Sequence, residues 1–300
     1  MDVESGAGLS QAFAKHPVIF DSIYVNMVRA GESSGRLDSF LTKLVGSIKK
    51  GIKIRKSIKS AMMYPMILLS VATIVLGIMM VFVVPVFIKM FGSMGAQLPA
   101  PTMLVVNISD FIRDPMGGGL MVLLFIAGIS FLKYRIRSSL EFRMKWHRVI
   151  LKLPLIGEMT LKANLAQIAM VYGNLTDAGV PVIEALDITA DSTKNEVLRD
   201  AIQTAKRGVF SGDPLSKIFR EIPIIPNAFS QLISVGEQTG NMNEMLETIS
   251  TYYEEEFDGT VEKLSQLMEP IMICFLGGVI GFILIAMYLP IFKMGQVVTG

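Results

Sequence analysis

The short motif Gly-Glu-x-x-Gly occurs twice in the 300-residue chain. A carboxylate between two flexible residues can accept hydrogen bonds from backbone N–H groups or pair with a basic surface. The simplest interpretation is a turn between two helices, but a turn alone requires only the glycines. Because the glutamate recurs, a role in binding a basic partner or in fixing the angle between helices stays open. The motif residues are Gly31, Glu32 and Gly35, and then Gly236, Glu237 and Gly240.

The turn interpretation makes specific conformational predictions for the second motif. Gly236 is expected to take the left-handed conformation that ends a helix. Asn241, with Glu244 three residues later, fits a capping box that begins the next helix. Each motif is therefore predicted to form a corner between two helices.

Groups suited to catalysis or metal binding are scarce. The two histidines, His16 and His147, are far apart, and the single cysteine, Cys274, lies in an apolar stretch. The acidic run 254–258 fits a solvated helix face better than a metal site. The sequence contains no phosphate-binding loop, zinc-protease motif or nucleophile-elbow motif. No catalytic residue, metal or cofactor is therefore predicted.

The composition indicates a membrane protein. Hydrophobic residues make up 51% of the chain and charged residues 18%, against about 25% charged in soluble domains. Residues 66–88 and 271–292 contain no formal charge, and each stretch is long enough to cross the roughly 30 Å hydrocarbon core. Residues 116–132 form a shorter third candidate, with a buried core helix as the alternative. The net charge of +2 gives no indication of nucleic acid as a partner.

Basic residues orient these spans, since Lys and Arg accumulate on the cytoplasmic side of a membrane. Six of them lie between residues 49 and 59 and seven between 133 and 152, but only Lys89 and Arg113 lie between the first two spans. We therefore expect a cytoplasmic N-terminus and an outer loop between those spans. The basic run 49–59 is explained by this topology, although binding of anionic lipid head groups is an alternative.

The chain repeats itself at a shift of 205 residues. This shift relates the two Gly-Glu-x-x-Gly motifs, and it superposes Pro65 on Pro270 and Pro85 on Pro290. Each repeat thus has two span-bounding prolines 20 residues apart, which is about 30 Å along a helix. The first proline of each pair is expected in the first turn of its helix. The second is expected to bend or end the helix near the outer surface.

The first repeat is shorter than the second. The second begins near Trp146, and the equivalent point lies about 60 residues before Met1. We therefore predict an N-terminally shortened form of a longer protein. The helices that remain would have an uncovered apolar face, a liability unless a partner covers it. That face comprises Phe13, Phe20, Tyr24, Val28, Leu37 and Leu41.

Apolar spacing in the second repeat predicts about six short helices, and strand signals are weak throughout. The helices are expected at residues 161–175, from 181, at 196–206, 214–220 and 227–235, and from 241. In the last span, Gly277 and Gly281 are four residues apart and would let another membrane helix approach closely. Chance is the alternative explanation for that pair, because glycine is common in membrane helices.

A helical domain with this motif, followed by a span that closes on Pro-x-Phe at 85–87 and 290–292, resembles the type II secretion system protein F family. That family includes the inner-membrane platform proteins of type IV pili. The sequence Leu-Thr-Asp-Ala-Gly-Val-Pro at 175–181 adds to the resemblance. The segment 90–99, after the first span, is more similar to the pilus platform proteins than to the secretion platform proteins.

The resemblance implies a non-enzymatic platform protein in the bacterial inner membrane, which couples a cytoplasmic hexameric assembly ATPase to pilin polymerisation in type IV pilus biogenesis. It implies contacts with pilin subunits, with other inner-membrane assembly proteins and with membrane lipid, and self-association as a homodimer. The platform of a type II secretion system is the alternative function. A small membrane transporter or channel is a more distant one, and no charged residue within the spans supports it.

The expected fold is an all-α membrane protein with three transmembrane helices and cytoplasmic helical-bundle domains in a tandem repeat, of which the first copy is N-terminally incomplete. The expected division is residues 1–64 (partial first cytoplasmic domain), 65–89 (first membrane helix), 90–115 (short periplasmic loop), 116–132 (second membrane helix), 133–269 (second cytoplasmic bundle), 270–292 (third membrane helix) and 293–300 (periplasmic tail).

Overall fold

The computed structural model describes residues 3, 6–17, 19–20, 22–93 and 99–298. Within these residues the secondary structure is helical, with no strand, which confirms the predicted all-α class. Part of the segment 90–99, used above to separate pilus from secretion platforms, lies outside the described residues.

Thirteen helices follow one another along the described chain, with one π-helical turn between the third and the fourth. They are α1 (Leu9–Ala14), α2 (Ser22–Ser34), α3 (Leu37–Ile78), the π turn (Met79–Val83), α4 (Val84–Ser93), α5 (Ala100–Arg113), α6 (Pro115–Ser138), α7 (Leu140–Lys152), α8 (Ile156–Asp177), α9 (Val182–Ser192), α10 (Glu196–Phe210), α11 (Leu215–Glu221), α12 (Asn227–Thr239) and α13 (Met242–Val298). The six helices predicted in the second repeat correspond to α8–α13.

The chain divides into two compact units, and the first combines Met1–Ile58 with Ser139–Glu262. Its core is a continuous cluster of buried apolar side chains from α8 to α13, such as Leu165, Leu198 and Ile233. These side chains recur at three- and four-residue spacing, so each helix has one apolar face directed into the bundle. Burial of such side chains stabilises the bundle by about 1.5–3 kcal/mol each.

The apolar face of the N-terminal helices belongs to the same core. Val28 on α2 and Phe40 on α3 are 1% and 0% exposed, and α2 packs against α8 and α9. The rings of Phe13, Phe20 and Tyr24 pack on one another at centroid distances of 4.4–5.1 Å. The face expected to need a partner is therefore covered within the chain, by helices that lie more than 100 residues later in the sequence.

The second unit combines Lys59–Ser138 with Lys263–Gly300. A small cluster of buried residues holds α4, α5 and α13 together here, and the hydroxyl of Thr102 donates a hydrogen bond to the carbonyl of Ala286. The buried members are Val84, Val105, Ile283, Ala286 and Met287.

Two helical stretches, Leu37–Met90 and Met242–Pro290, are long and apolar enough to cross a membrane. In the most apolar 18-residue window of each, only 17% and 22% of the residues are buried, whereas the core helix of a soluble protein is mostly buried. The third predicted span, 116–132, lies on α6 and stays a prediction, because the side chains of several of its residues are outside the described part.

The first prolines of the two predicted pairs do not begin helices, contrary to the sequence-based expectation. Pro65 lies inside α3 and Pro270 inside α13, and α13 also continues past Pro290. An unpaired backbone group is costly in a bilayer, so continuing the helix and losing one hydrogen bond is cheaper than ending it there. Whether these prolines mark the limits of membrane spans stays a prediction.

Pro85 changes the helix without ending it. The π turn Met79–Val83 precedes it, and the N–H of Val84 donates to the carbonyl of Met79, five residues back. In this register the next N–H would reach Met80, but proline has none. The hydroxyl of Ser109 on α5 donates to the Met80 carbonyl instead, at 2.6 Å. The expected bend is thus a π turn, with a neighbouring helix satisfying the freed carbonyl.

Replacing Phe40 with alanine should test whether the N-terminal helices belong to the first core. We expect the free energy of unfolding to fall by about 3–5 kcal/mol, because a fully buried ring leaves a cavity. Denaturant unfolding of the purified chain in detergent measures this. Phe210→Ala is the matched control, since Phe210 is 81% exposed; equal stability of the two variants would contradict the shared core.

Candidate functional site

The glutamate of the second motif caps the helix that precedes it. The Glu237 carboxylate on α12 accepts hydrogen bonds from the backbone N–H groups of Leu215 at 2.6 Å and Ser216 at 3.3 Å, the first two residues of α11. The hydroxyl of Ser216 donates to the same carboxylate. Glu237 therefore ties α12 to the start of α11.

The glutamate of the first motif makes the same connection. The Glu32 carboxylate on α2 accepts hydrogen bonds from the backbone N–H groups of Leu9 and Ser10, the first two residues of α1, the second at 3.1 Å. Hydrogen bonding from the Ser10 side chain is the main cause that holds the pKa of Glu32 below its usual 4.5, and the two backbone N–H groups add to it. Glu32 is therefore ionised at neutral pH.

These carboxylates replace caps that the short helices lack. The residues that precede α1 and α11 are Gly8 and Pro214, and neither has a side chain that can accept a hydrogen bond. The first N–H groups of a helix have no partner inside it. A capping oxygen typically contributes about 0.5–2 kcal/mol. In both corners it comes from the next helix, so the cap also fixes how the two helices meet.

The first glycine of each motif allows the next helix to approach closely. A Cβ atom added at Gly31 would lie 3.0 Å from the Phe40 Cβ and 3.2 Å from the Leu37 Cα. One added at Gly236 would lie 3.1 Å from the Met242 Cα and 3.2 Å from the Met245 Cβ. At a shift of 205 residues these neighbours correspond, Leu37 to Met242 and Phe40 to Met245.

The last glycine of each motif, and not the first, has the left-handed backbone. Gly35 and Gly240 have φ of +69° and +73°, whereas Gly236 lies buried inside α12. The prediction that Gly236 ends the helix was therefore wrong by four residues, because packing against α13 and not backbone conformation requires a glycine there. Asn241 and Glu244 interact as expected of neighbours at a helix start, through a side-chain hydrogen bond of 3.2 Å.

The corner geometry bears on the two roles left open for the glutamates. Both oxygens of each carboxylate already accept hydrogen bonds within the chain, so they point inward and not towards a basic partner surface. Nearby Tyr172 is 4% exposed, and burial raises its pKa to about 12, so it stays protonated at neutral pH. The arrangement suits a rigid joint better than acid–base chemistry.

A row of ion pairs joins α3 to α13 within the first unit. Lys50 pairs with Glu254 at 2.5 Å and Lys53 with Asp258 at 2.9 Å. The pairs advance along both helices in the same direction, so α3 and α13 run parallel here. The basic run and the acidic run thus face each other, and neither the lipid interpretation of Lys50 and Lys53 nor the metal interpretation of Glu254 and Asp258 is needed.

The repeat register contained a signal for this pairing that motif reasoning missed. Lys53 and Asp258 are 205 residues apart, so they occupy the same repeat position with opposite charges. When two equivalent helices run side by side and parallel, equivalent residues meet along the line between them. Opposite charges at one repeat position therefore predict an ion pair.

A polar groove of about 500 Å³ opens beside these pairs, between α3, α8 and α13. Lys43 of α3 pairs with Asp177 at the end of α8, and this hydrogen bond is the main cause that lowers the pKa of Asp177. Asn243 of α13 donates to the same carboxylate at 3.2 Å. One carboxylate thus joins three helices at the groove.

A second charged cluster attaches α7 to the bundle. The Glu196 side chain is 7% exposed and pairs with Arg143 of α7 at 2.8 Å and with Arg199 at 3.2 Å. The Glu196 backbone N–H donates to His147 Nδ1 at 3.0 Å, and burial lowers the pKa of that histidine. His147 therefore acts as a neutral acceptor at a helix start, and we assign it no role in chemistry.

The remaining predicted residues lie apart from the corners. A Cβ atom added at Gly277 or Gly281 would contact nothing within 4 Å, so no other described helix uses this pair for close packing. The thiol of Cys274 is free and exposed. Among the described residues no group of three His, Cys, Asp or Glu side chains is arranged to hold a metal ion.

Comparison with known proteins matches residues 1–85 and 169–290 to the family described as "Type II secretion system (T2SS), protein F". The chain is 38% identical over 298 residues to a type IV pilus assembly protein PilC of Pseudomonas aeruginosa, covering 99% of this chain and 79% of that protein. It is 36% identical to the PilC of Thermus thermophilus, covering 98% and 71%. A type II secretion system protein F of Vibrio cholerae is 29% identical, covering 99% and 72%. The resemblance drawn from the motifs is confirmed.

The Glu32 cap should make the first corner sensitive to acid. A carboxylate with a lowered folded-state pKa stabilises the fold above its unfolded pKa, and this stabilisation is lost as the pH falls through the lower folded value. We expect Glu32→Gln to be less stable than the wild type at pH 7 and the difference to shrink below about pH 4.5. Thermal unfolding between pH 3 and 7 checks this, and a constant difference would contradict it.

Exchanging the charges of Lys50 and Glu254 should test the pairing of α3 with α13. Either single reversal, Lys50→Glu or Glu254→Lys, places like charges together and should cost about 1 kcal/mol of stability, and the double exchange should recover most of it. Denaturant unfolding of the four proteins gives the coupling energy. Lys59→Glu, on an exposed basic residue of the same helix, serves as the control.

Proposed function

Because the chain belongs to the type II secretion system protein F family, we propose that it is a non-enzymatic inner-membrane platform protein of type IV pilus assembly. In this role it couples a cytoplasmic assembly ATPase to the polymerisation of pilin. The observation that carries the assignment is identity of 38% over nearly the whole chain to a pilus assembly protein, against 29–31% for the secretion proteins.

The platform of a type II secretion system is the second candidate, supported by the family description and by the protein F relatives. Both candidates share one architecture, so the corners and ion pairs described above do not separate them. A transporter or channel finds no support in the two apolar helices of the described chain, since their predicted spans contain no charged residue for a solute pathway.

We place the N-terminus in the cytoplasm and three helices in the inner membrane, at residues 65–89, 116–132 and 270–292. The clustered basic residues before the first span and after the second support this orientation. Residues 1–64 and 133–269 would then be cytoplasmic, 90–115 a short periplasmic loop, and 293–300 a periplasmic tail. The N-terminal helices and the second cytoplasmic segment would form one cytoplasmic body, in line with their shared core.

We also propose a tandem repeat, with α1, α2 and α3 equivalent to α11, α12 and α13. Three correspondences support it. Glu32 and Glu237 cap the same positions of the preceding helices, Gly31 and Gly236 pack on equivalent neighbours, and the family description matches two separate stretches of the chain.

The proposed mechanism rests on two corners and two long helices. Each corner fixes the start of α3 or α13 against the bundle, and each of these helices continues without interruption from the corner into an apolar stretch. α13 alone has 57 residues, about 85 Å at 1.5 Å per residue. Displacement of the bundle by an ATPase would therefore reach the membrane as movement of stiff helices.

The proposed partners follow from this layout. The cytoplasmic body would contact the hexameric ATPase, the membrane helices would face pilin subunits and other inner-membrane assembly proteins, and Gly277 and Gly281 would serve helix packing in a homodimer. Crosslinking mass spectrometry on native membranes tests the assignment. Crosslinks from residues 133–269 to the ATPase, with pilin near the spans, are expected; self-crosslinks alone would contradict it.

Replacing Glu237 with alanine should abolish pilus assembly while the protein remains in the membrane, because the α11 cap and the corner angle are lost. Glu237→Gln keeps a carbonyl acceptor and should retain part of the activity. Sheared surface pilin is measured in the natural host after deletion of its own gene, alongside the membrane level of each variant.

Glu247→Ala is the control for this experiment, since Glu247 is an exposed carboxylate on α13. Wild-type pilus yield from Glu237→Ala at an equal protein level would contradict a role for the corner. Loss of secreted enzymes with pili intact would favour the secretion platform.

A further inference from the structure

One face of α3 is exposed where the equivalent face of α13 is buried. Val45, Ile48 and Ile52 are 50%, 44% and 59% exposed. At a shift of 205 residues they correspond to Ser250, Tyr253 and Phe257, which are 1%, 3% and 1% exposed. Spacings of three and four residues place each set on one side of its helix. We call Val45, Ile48 and Ile52 the open α3 face.

The contacts of α8 show what covers the equivalent face of α13. A Cβ atom added at Gly173 would lie 3.0 Å from the Leu246 Cβ, near one end of the buried set. Near the other end, Lys162 pairs with Glu256 at 2.9 Å and donates to the Thr260 hydroxyl at 2.9 Å. α8 therefore lies antiparallel along α13 and contacts it on both sides of the three buried residues.

Charges around the open α3 face indicate what could cover it. Lys49 and Lys56 follow Val45 and Ile52 by four residues, so they flank the face, and both are exposed. On α13 the flanking charge is Glu256, and the covering helix answers it with Lys162. On α3 the signs are reversed, so a covering helix should present carboxylates.

We propose that the open α3 face is a docking surface for an acidic amphipathic helix from another polypeptide. That helix lies antiparallel to α3, as α8 lies on α13, with apolar residues at three- and four-residue spacing and carboxylates towards Lys49 and Lys56. The surface lies within the first compact unit, and the proposal holds whether the chain serves pili or secretion.

The charges also argue against a second molecule of this chain docking through the same face. A two-fold interface brings a surface against its own copy. It would therefore place Lys49 and Lys56 against the lysines of the second molecule, and like charges repel. An acidic helix of different sequence has no such penalty.

A peptide of residues 156–177 with Lys162→Glu is the probe, because it keeps the apolar face of α8 and reverses its flanking charge. Its fluorescence anisotropy is followed on titration with the full chain in detergent micelles. We expect saturable binding that weakens with added salt. The same peptide with Leu165→Ser and Ile168→Ser should not bind, since both residues belong to the buried face of α8.

Variants of the chain locate the site. Ile48→Ser with Ile52→Ser should weaken binding at least tenfold, and Lys49→Glu with Lys56→Glu should do so through charge. Phe210→Ser, at an exposed ring elsewhere in the same unit, should leave binding unchanged. Circular dichroism and thermal unfolding confirm that each variant is folded.

Three outcomes would overturn the proposal. The first is no binding of the Lys162→Glu peptide, and the second is equal binding to wild type and to the Ile48→Ser, Ile52→Ser variant. The third is a change of oligomeric state in that variant without peptide binding, which would identify a self-interface. None of these outcomes bears on pilus assembly, so the proposed function is tested separately.

Discussion

Backbone N–H groups at the start of a short helix need acceptors, and this requirement determines how the cytoplasmic helices are arranged. α1 and α11 follow a glycine and a proline that cannot cap them. Glu32 and Glu237 supply the missing oxygens from the next helix. Each short helix is thereby fixed to the helix that follows it, and that helix leads directly into a long one. The direction of α3 and α13 depends on these two carboxylates.

The same requirement appears in the apolar unit with different donors. Pro85 leaves the carbonyl of Met80 without its helical partner, and Ser109 donates to it from α5. Thr102 donates to the carbonyl of Ala286. Hydroxyl groups, which can be buried when hydrogen-bonded, thus join helices where apolar contacts alone would allow sliding. Helices linked in this way can transmit displacement, as a platform between an ATPase and a polymer requires.

Charge pairing also changes how the composition is interpreted. The small net charge combines a basic segment before the first span with an acidic segment before the last. Lys50 and Lys53 meet Glu254 and Asp258, so part of each run is neutralised across the two helices. The lysines of α3 that remain exposed flank its open face. One run of basic residues therefore contributes to topology, to internal pairing and to a binding surface.

The sequence by itself determined the helical class, the two long apolar stretches, the repeat register and the family, because these depend on local spacing and on residues in a fixed order. It placed the corners correctly but assigned Gly236 the wrong task, since close packing and positive φ both favour glycine and only the tertiary structure separates them. It also predicted an uncovered N-terminal face, whereas Val28 and Phe40 are buried in a shared core. The partners of Glu32, Glu237 and Lys53 lie 22 to 205 residues away, and such contacts are decided by how the helices pack.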